Sequence, residues 1–178
     1  MKRRIFALSL LAATLALPGC ARYYYGENAG GSPADLVDAN HAAADRLLQD
    51  APLDPGRTVL VATLVSVDRL DESSRLGRTL SEQLAGGLVQ RGVRVVEPRL
   101  RDHLAISIVQ GELLLSRELR EISRAHDAQA VLVGTYSVTA RAVYVSIKLV
   151  HPVGNVVVAA VDYALPMDDN VRGLLSAR

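Results

Sequence analysis

Asp71–Arg99, DESSRLGRTLSEQLAGGLVQRGVRVVEPR, is the stretch that most restricts how this chain can fold. Leu76, Leu80, Leu84 and Leu88 recur every four residues, the spacing of one apolar helix face. Ser73 or Ser74 stands where an N-cap would accept a hydrogen bond from the first turn. Gly92 stands where a C′ glycine would end the helix. Gly77 and Gly87 lie on the leucine stripe. Glycine in a helix interior costs about 1 kcal/mol relative to alanine, so the two predict close approach of this helix to something flat. Arg75, Arg78, Glu82, Gln83 and Gln90 occupy the opposite, wet side. Val93, Val95 and Val96 begin a strand that stops before Pro98. The near-continuous apolar run Thr58–Val67 is of strand type and precedes the helix. Strand, helix, strand is a βαβ unit, a parallel pair buried under its crossover.

The rest of the chain adds elements to that unit. Ser32 and Pro33 open a helix, as a good N-cap followed by a first-turn proline should. Leu36, Val37, Ala43, Ala44, Leu47 and Leu48 form its apolar face, and His41 lies off it, toward solvent. Pro52 and Pro55 prevent continuation beyond Asp50. Val67–Asp71 reads as the loop at the C-terminal end of the first strand, where open α/β sheets tend to bind ligands. It has no glycine-rich phosphate cradle. Arg99–Gly111 reads as extended, with a turn at Gln110-Gly111. Ser116 is expected to cap a helix with Leu115, Leu119, Ile122 and His126 along one face and an Arg117–Glu121 surface pair. Ala130–Thr139, Ala142–Val150 and Val156–Ala164 then read as strands joined by short turns, and Asp168–Leu175 as a terminal helix. The fold class expected is α/β: one domain, residues 32–178, with a mixed sheet of about five strands. Its first strands are parallel through βαβ crossovers and its last form an antiparallel meander, with helices packed on the sheet.

The N-terminus has a separate character. Lys2, Arg3 and Arg4 precede the apolar run Ile5–Leu17, which is too short for a comfortable membrane span. Leu17, Pro18, Gly19 and Cys20 follow, in the order of a bacterial lipobox. Residues 1–19 are therefore expected to be a lipoprotein signal peptide. Cys20, the only cysteine among 178 residues, is expected to become the lipidated first residue. Ala21 after the cysteine implies the outer membrane, by resemblance to the sorting rule of enteric lipoproteins. Residues 20–31 read as a flexible tether, with Gly26, Gly30 and Gly31. Tyr23, Tyr24 and Tyr25 either sit at the membrane interface, or pack on the domain or simply float.

Few reaction chemistries fit the remaining residues. The formal net charge of +1 lacks the basic excess of nucleic-acid binders. His41, His103, His126 and His151 are not spaced as metal pairs, so no metal is expected. There is no Gly-x-Ser-x-Gly. Asp102 and His103, adjacent on an extended segment, point apart and make a poor triad with Ser73 or Ser74. Asp168-Asp169 reads as a helix cap rather than an acid/base couple. Arg91, Arg94, Arg99 and Arg101 form a local basic cluster. It would serve either to meet an anionic surface or as a solvated strand edge.

Several runs together resemble the FlgO family. They are Asn40-His41-Ala42-Ala43-Ala44-Asp45, the segment 59–101, LLLSRELREI, AQAVLVGTYSV, VYVSIKLV and YALPMDDNVRGLL. The most specific part is S-S-x-L-G-R-x-x-S-E-Q-L at Ser73–Leu84. The resemblance implies a non-enzymatic outer-membrane lipoprotein of the flagellum, needed for motility and carrying covalent lipid, palmitate included, on Cys20. It implies no catalytic residue and no other cofactor. It also implies a fold broadly similar to that of TolB N-terminal domains and penicillin-binding-protein-activator lipoproteins. The expected partners are the outer membrane through the anchor, other envelope or flagellar proteins, and further copies of the chain. The domain is expected to face the periplasm. Arg75, Arg78, Arg99 and Arg101 are the candidate protein-interaction residues. The competing expectation is an envelope adaptor or activator that docks on a cell-wall enzyme or trans-envelope complex. A hydrolase is the third, without a motif to support it.

Overall fold

The computed structural model describes residues 33–54, 56–98, 106–109, 112–115 and 117–176. The leader, Cys20, the tether, Arg99, Arg101, Asp102 and His103 lie outside them. The elements run α1 (Pro33–Asp50), β1 (Thr58–Val61), β2 (Val65–Ser66), β3 (Arg69–Ser73), α2 (Arg75–Gln90), β4 (Arg94–Val96), β5 (Ile106–Val109), β6 (Glu112–Leu115), α3 (Arg117–Ala125), β7 (Ala128–Val138), β8 (Ala142–His151), β9 (Val156–Pro166) and α4 (Asp169–Ser176).

β7 is the axis of the main sheet. Its first part pairs in parallel with β1, and Thr135 and Tyr136 pair in parallel with β2. Its other side pairs antiparallel with β8 from Val131↔Val150 to Val138↔Val143. β9 pairs antiparallel with β8, and β4 pairs in parallel with β1. Five positions thus cross the sheet: β9, β8, β7, then β1 with β2, then β4 with β3. This is the expected α/β domain, with parallel crossovers first and an antiparallel meander last. β7 is buried from Ala128 through Gly134 because both faces there are covered. α1, α2 and α4 share one core with Leu132, Val145, Ile147 and Leu149. α3 covers the other face through Leu119, against Leu60, Val131, Val133 and Val150.

α2 follows the sequence reading closely. Leu76, Leu80, Leu84 and Leu88 are all fully buried. Ser74 is the cap, its side chain accepting from Gly77 N at 2.8 Å. At the other end Gly92 has φ +84°. Val93 N reaches Leu88 O at 3.1 Å and Gly92 N reaches Val89 O at 2.9 Å, the paired bonds of a Schellman motif. A Cβ on Gly77 would lie 2.0 Å from Leu64 O, so backbone packs directly on backbone there. Gly87 differs from expectation. Its close neighbour is a helix and not the sheet, since a Cβ would meet Ala44 Cβ at 3.0 Å and His41 Cδ2 at 3.3 Å. His41 is accordingly half-buried against α2 instead of solvated.

Four further expectations are corrected. The run Thr58–Val67 is not one strand. Leu64 N leaves the ladder for Ser81 Oγ at 2.8 Å, and Ser81 Oγ donates to Gly77 O at 2.8 Å. α2 thereby breaks the strand at Ala62–Leu64. The expected loop Val67–Asp71 is a turn at Val67-Asp68 followed by β3, which folds back antiparallel on β2. Gln83 is not on a wet face. It is half-buried, and its Oε1 accepts from the fully buried Asn40 Nδ2 at 2.5 Å. Leu115 ends β6 instead of joining the helix face, because β5 and β6 pair as a separate two-stranded hairpin with Ile106↔Leu115. α4 begins as expected, with Asp168 Oδ1 accepting from Val171 N at 2.8 Å.

Candidate functional site

The expected site position, the C-terminal end of the first strand, is occupied by structural bonds. Ser74 Oγ accepts from Gly77 N at 2.8 Å and from the Tyr136 hydroxyl at 2.6 Å. Both acceptor directions of this oxygen are thereby used, and Tyr136 itself is buried. Ser74 is therefore an anchor between α2 and β7. Arg75 and Arg78 stand exposed on the first turns of α2. Arg78 borders a hollow of about 190 Å³ with Thr63, Glu82, Glu97 and Pro98. Arg99 and Arg101 lie outside the described residues, so the four-arginine surface is present here only as its α2 half. Of the second basic cluster, the two described members, Arg91 and Arg94, are already engaged. Arg91 Nε and Nη2 both reach the Asp45 carboxylate, and Arg94 Nη1 donates to Gly56 O at 3.3 Å.

The interior polar groups are equally committed. Tyr163 donates its hydroxyl to Asn40 Oδ1, and Asn40 Nδ2 donates to Leu36 O at 2.9 Å and to Gln83. One chain of bonds thus joins β9, α1 and α2. Burial pushes the Tyr163 hydroxyl well above its ordinary titration range. Gln129 staples the 54–57 loop, accepting from Asp54 N at 2.7 Å and donating to Asp54 O at 2.8 Å and Arg57 O at 3.0 Å. Among the described residues no buried side-chain nitrogen or oxygen lacks a partner. No group of three or more His, Cys, Asp or Glu there could hold a metal. His126 follows α3 with its amide bonded to Ile122 O at 3.1 Å, and His151 braces the β8–β9 turn. Among those residues, no helix is long and apolar enough to cross a membrane.

One surface feature was missed by sequence reading. Arg117, Arg120 and Arg124 line a groove beside the β8–β9 turn. Their i, i+3, i+7 spacing was the available signal, hidden because Arg117 was read only as half of a pair with Glu121.

This architecture defines an α/β domain with βαβ crossovers and a closing meander. Two solved structures, both LpoB C-terminal domains, share that fold. The LpoB C-terminal domain from Salmonella enterica matches at 17% identity and a TM-score of 0.52, covering 74% of this chain and 98% of that one. The LpoB C-terminal domain from Escherichia coli matches at 16% identity with the same TM-score and coverage, 0.52, 74% and 98%. A PelC dodecamer from Paraburkholderia phytofirmans matches at 16% identity and a TM-score of 0.44, over 66% of this chain and 76% of that one. No curated protein matches the chain. The FlgO protein family model matches residues 41–170, and the chain belongs to the FlgO family.

Proposed function

We propose that this chain is an outer-membrane lipoprotein, anchored through Cys20, that works by contact with other proteins of the envelope, and that its place is the flagellar assembly. The observation that carries this reading is membership of the FlgO family over residues 41–170. The commitment of Ser74 Oγ to Gly77 N and the Tyr136 hydroxyl supports a structural role for that serine. The exposed Arg75 and Arg78, with Arg99 and Arg101, are the proposed contact residues. The domain faces the periplasm in this reading, and copies of the chain assemble with each other.

A second reading is an adaptor or activator that docks on a cell-wall enzyme or trans-envelope complex. The LpoB C-terminal domain has the same fold, so the fold does not choose between the two. Deletion in a flagellated host does choose. The flagellar reading expects reduced swimming in soft agar and defective flagella by electron microscopy. Normal swimming with altered cell-wall integrity would sink it and favour the adaptor.

A further inference from the structure

α3 is an odd helix energetically. Of its nine residues, RELREISRA, three are arginines. Arg117 is the first helical residue, where the helix dipole disfavours a cation by a few tenths of a kcal/mol or more. The Arg117–Glu121 pair, at 3.2 Å, does little to offset this, because the two side chains are 87% and 61% exposed. Among the described residues, no hydrogen bond or ion pair engages the guanidinium of Arg120 or Arg124. The neighbouring acid Asp127 is engaged by Arg57 at 3.0 Å. The helix stays in place through Leu119, which is fully buried on the second core, and through Ser123 Oγ bonding Leu119 O at 2.7 Å. Its arginines are therefore not what holds the fold together.

They face a built concavity. Arg117, Arg120, Glu121 and Arg124 form one wall, and Pro152–Asn155 form the other, around a groove of about 400 Å³. The turn is rigid. Gly154 and Asn155 take φ +81° and +52°, and His151 Nδ1 lies 3.2 Å from Val153 N. Three guanidiniums against one carboxylate leave two positive charges uncompensated. Beside them the turn exposes Val153 at 68% and, further on, Val156 at 58%.

We propose that this groove binds a phosphate-bearing group, held by Arg120 and Arg124 with Arg117 as the third contact. Guanidinium forks match phosphate oxygens with paired hydrogen bonds. A phosphate monoester carries a charge of about −1.5 to −2 near neutral pH, which meets the groove's excess. The N-terminal end of α3 adds positive potential to the same wall. The exposed valines admit a hydrocarbon attached to that phosphate, so the group arrives either on a lipid headgroup or as a free phosphate compound. This site is independent of the flagellar reading and does not use Arg75 or Arg78.

Arginine footprinting on the full chain in phosphatidylcholine nanodiscs tests it. Phenylglyoxal modification is followed residue by residue by mass spectrometry. Inorganic phosphate is expected to slow modification of Arg120 and Arg124 several-fold and to leave Arg141, in the turn at the opposite end of β8, unchanged. Nanodiscs containing phosphatidic acid form the second arm. Protection in that arm alone assigns a lipid headgroup, and protection by soluble phosphate alone assigns a free compound. Glu121→Gln should increase the protection, and Arg120→Gln with Arg124→Gln should abolish what Arg117 shows. Chloride at matched ionic strength is the control. Equal slowing by chloride, equal slowing at Arg141, or no slowing in either arm would overturn the proposal.

Discussion

Asn40 shows how one residue couples three elements. It is fully buried in α1, and every polar atom of its side chain is used by Leu36 O, Gln83 or Tyr163. Buried amides are tolerated only when bonded, because each unmade bond costs about 1–3 kcal/mol. Gln83→Ala should therefore destabilise the domain measurably, although this side chain is not part of the apolar stripe. Tyr163 extends the same argument to pH. Its folded-state pKa is raised, by burial, above the unfolded value of about 10. Between the two values the folded chain holds a proton that the unfolded chain has released, so stability falls as pH rises. The contribution is fully present below about pH 10 and is lost above it. Tyr163→Phe cannot ionise. It should lose about 1 kcal/mol at neutral pH for the missing bond to Asn40, and it should show a shallower decline on the alkaline side. Urea melts of both proteins across that range measure the difference in slope, and parallel slopes would refute the assignment.

At the scale of elements, α2 is the part most open to reading from sequence, because its determinants are local. A cap, a stripe and a C′ glycine lie within 19 residues, Ser74 to Gly92, and each acts on its own neighbours. Leu84→Ala should cost about 2–5 kcal/mol, as truncations at packed core positions do. Val89→Ala, at a side chain 55% exposed on the same helix, should cost far less. Thermal melting of the two variants checks the phase of the helix, and equal shifts would mean the stripe is not the buried face. The meander was legible for the same reason, since Val143, Val145, Ile147 and Leu149 alternate and all turn inward. What could not be read depended on distant partners. The break at Ala62–Leu64 is imposed by Ser81, seventeen residues on. The burial of Gln83 depends on Asn40, forty-three residues back. The Val67-Asp68 hairpin turn has neither the glycine nor the asparagine that usually marks one. The candidate site fared worse than the fold. Ser74 was legible as one of two candidate caps, with Ser73, but not as the acceptor of the Tyr136 hydroxyl, and the α3 groove needs a turn some thirty residues beyond the helix to exist at all.

For the whole molecule, the decisive question is how a domain with only shallow hollows among its described residues can have an effect. Restriction to a membrane surface is a sufficient physical answer. Tethering turns a second contact into an intramolecular one at an effective concentration in the millimolar range for short linkers. In the proposed reading, weak contacts through residues such as Arg75 and Arg78 would then support an assembly they could not support free in solution. Closed assemblies need a self-complementary or head-to-tail surface, and exposed arginines on α2 would form part of one. The anchor should matter as much as the domain. A single acyl chain gives marginal attachment, whereas several give stable attachment. Cys20→Ala should therefore leave a full-length, folded chain that no longer sediments as a mature, detergent-requiring outer-membrane species. In a flagellated host it should reproduce most of the swimming loss of the deletion. Charge reversal at Arg75 and Arg78 should lower crosslinked assembly while leaving fractionation and melting unchanged, which separates the contact surface from the anchor. If the Cys20→Ala protein still required detergent for extraction from outer membranes, the anchor would lie elsewhere and the surface-confinement argument would fail with it.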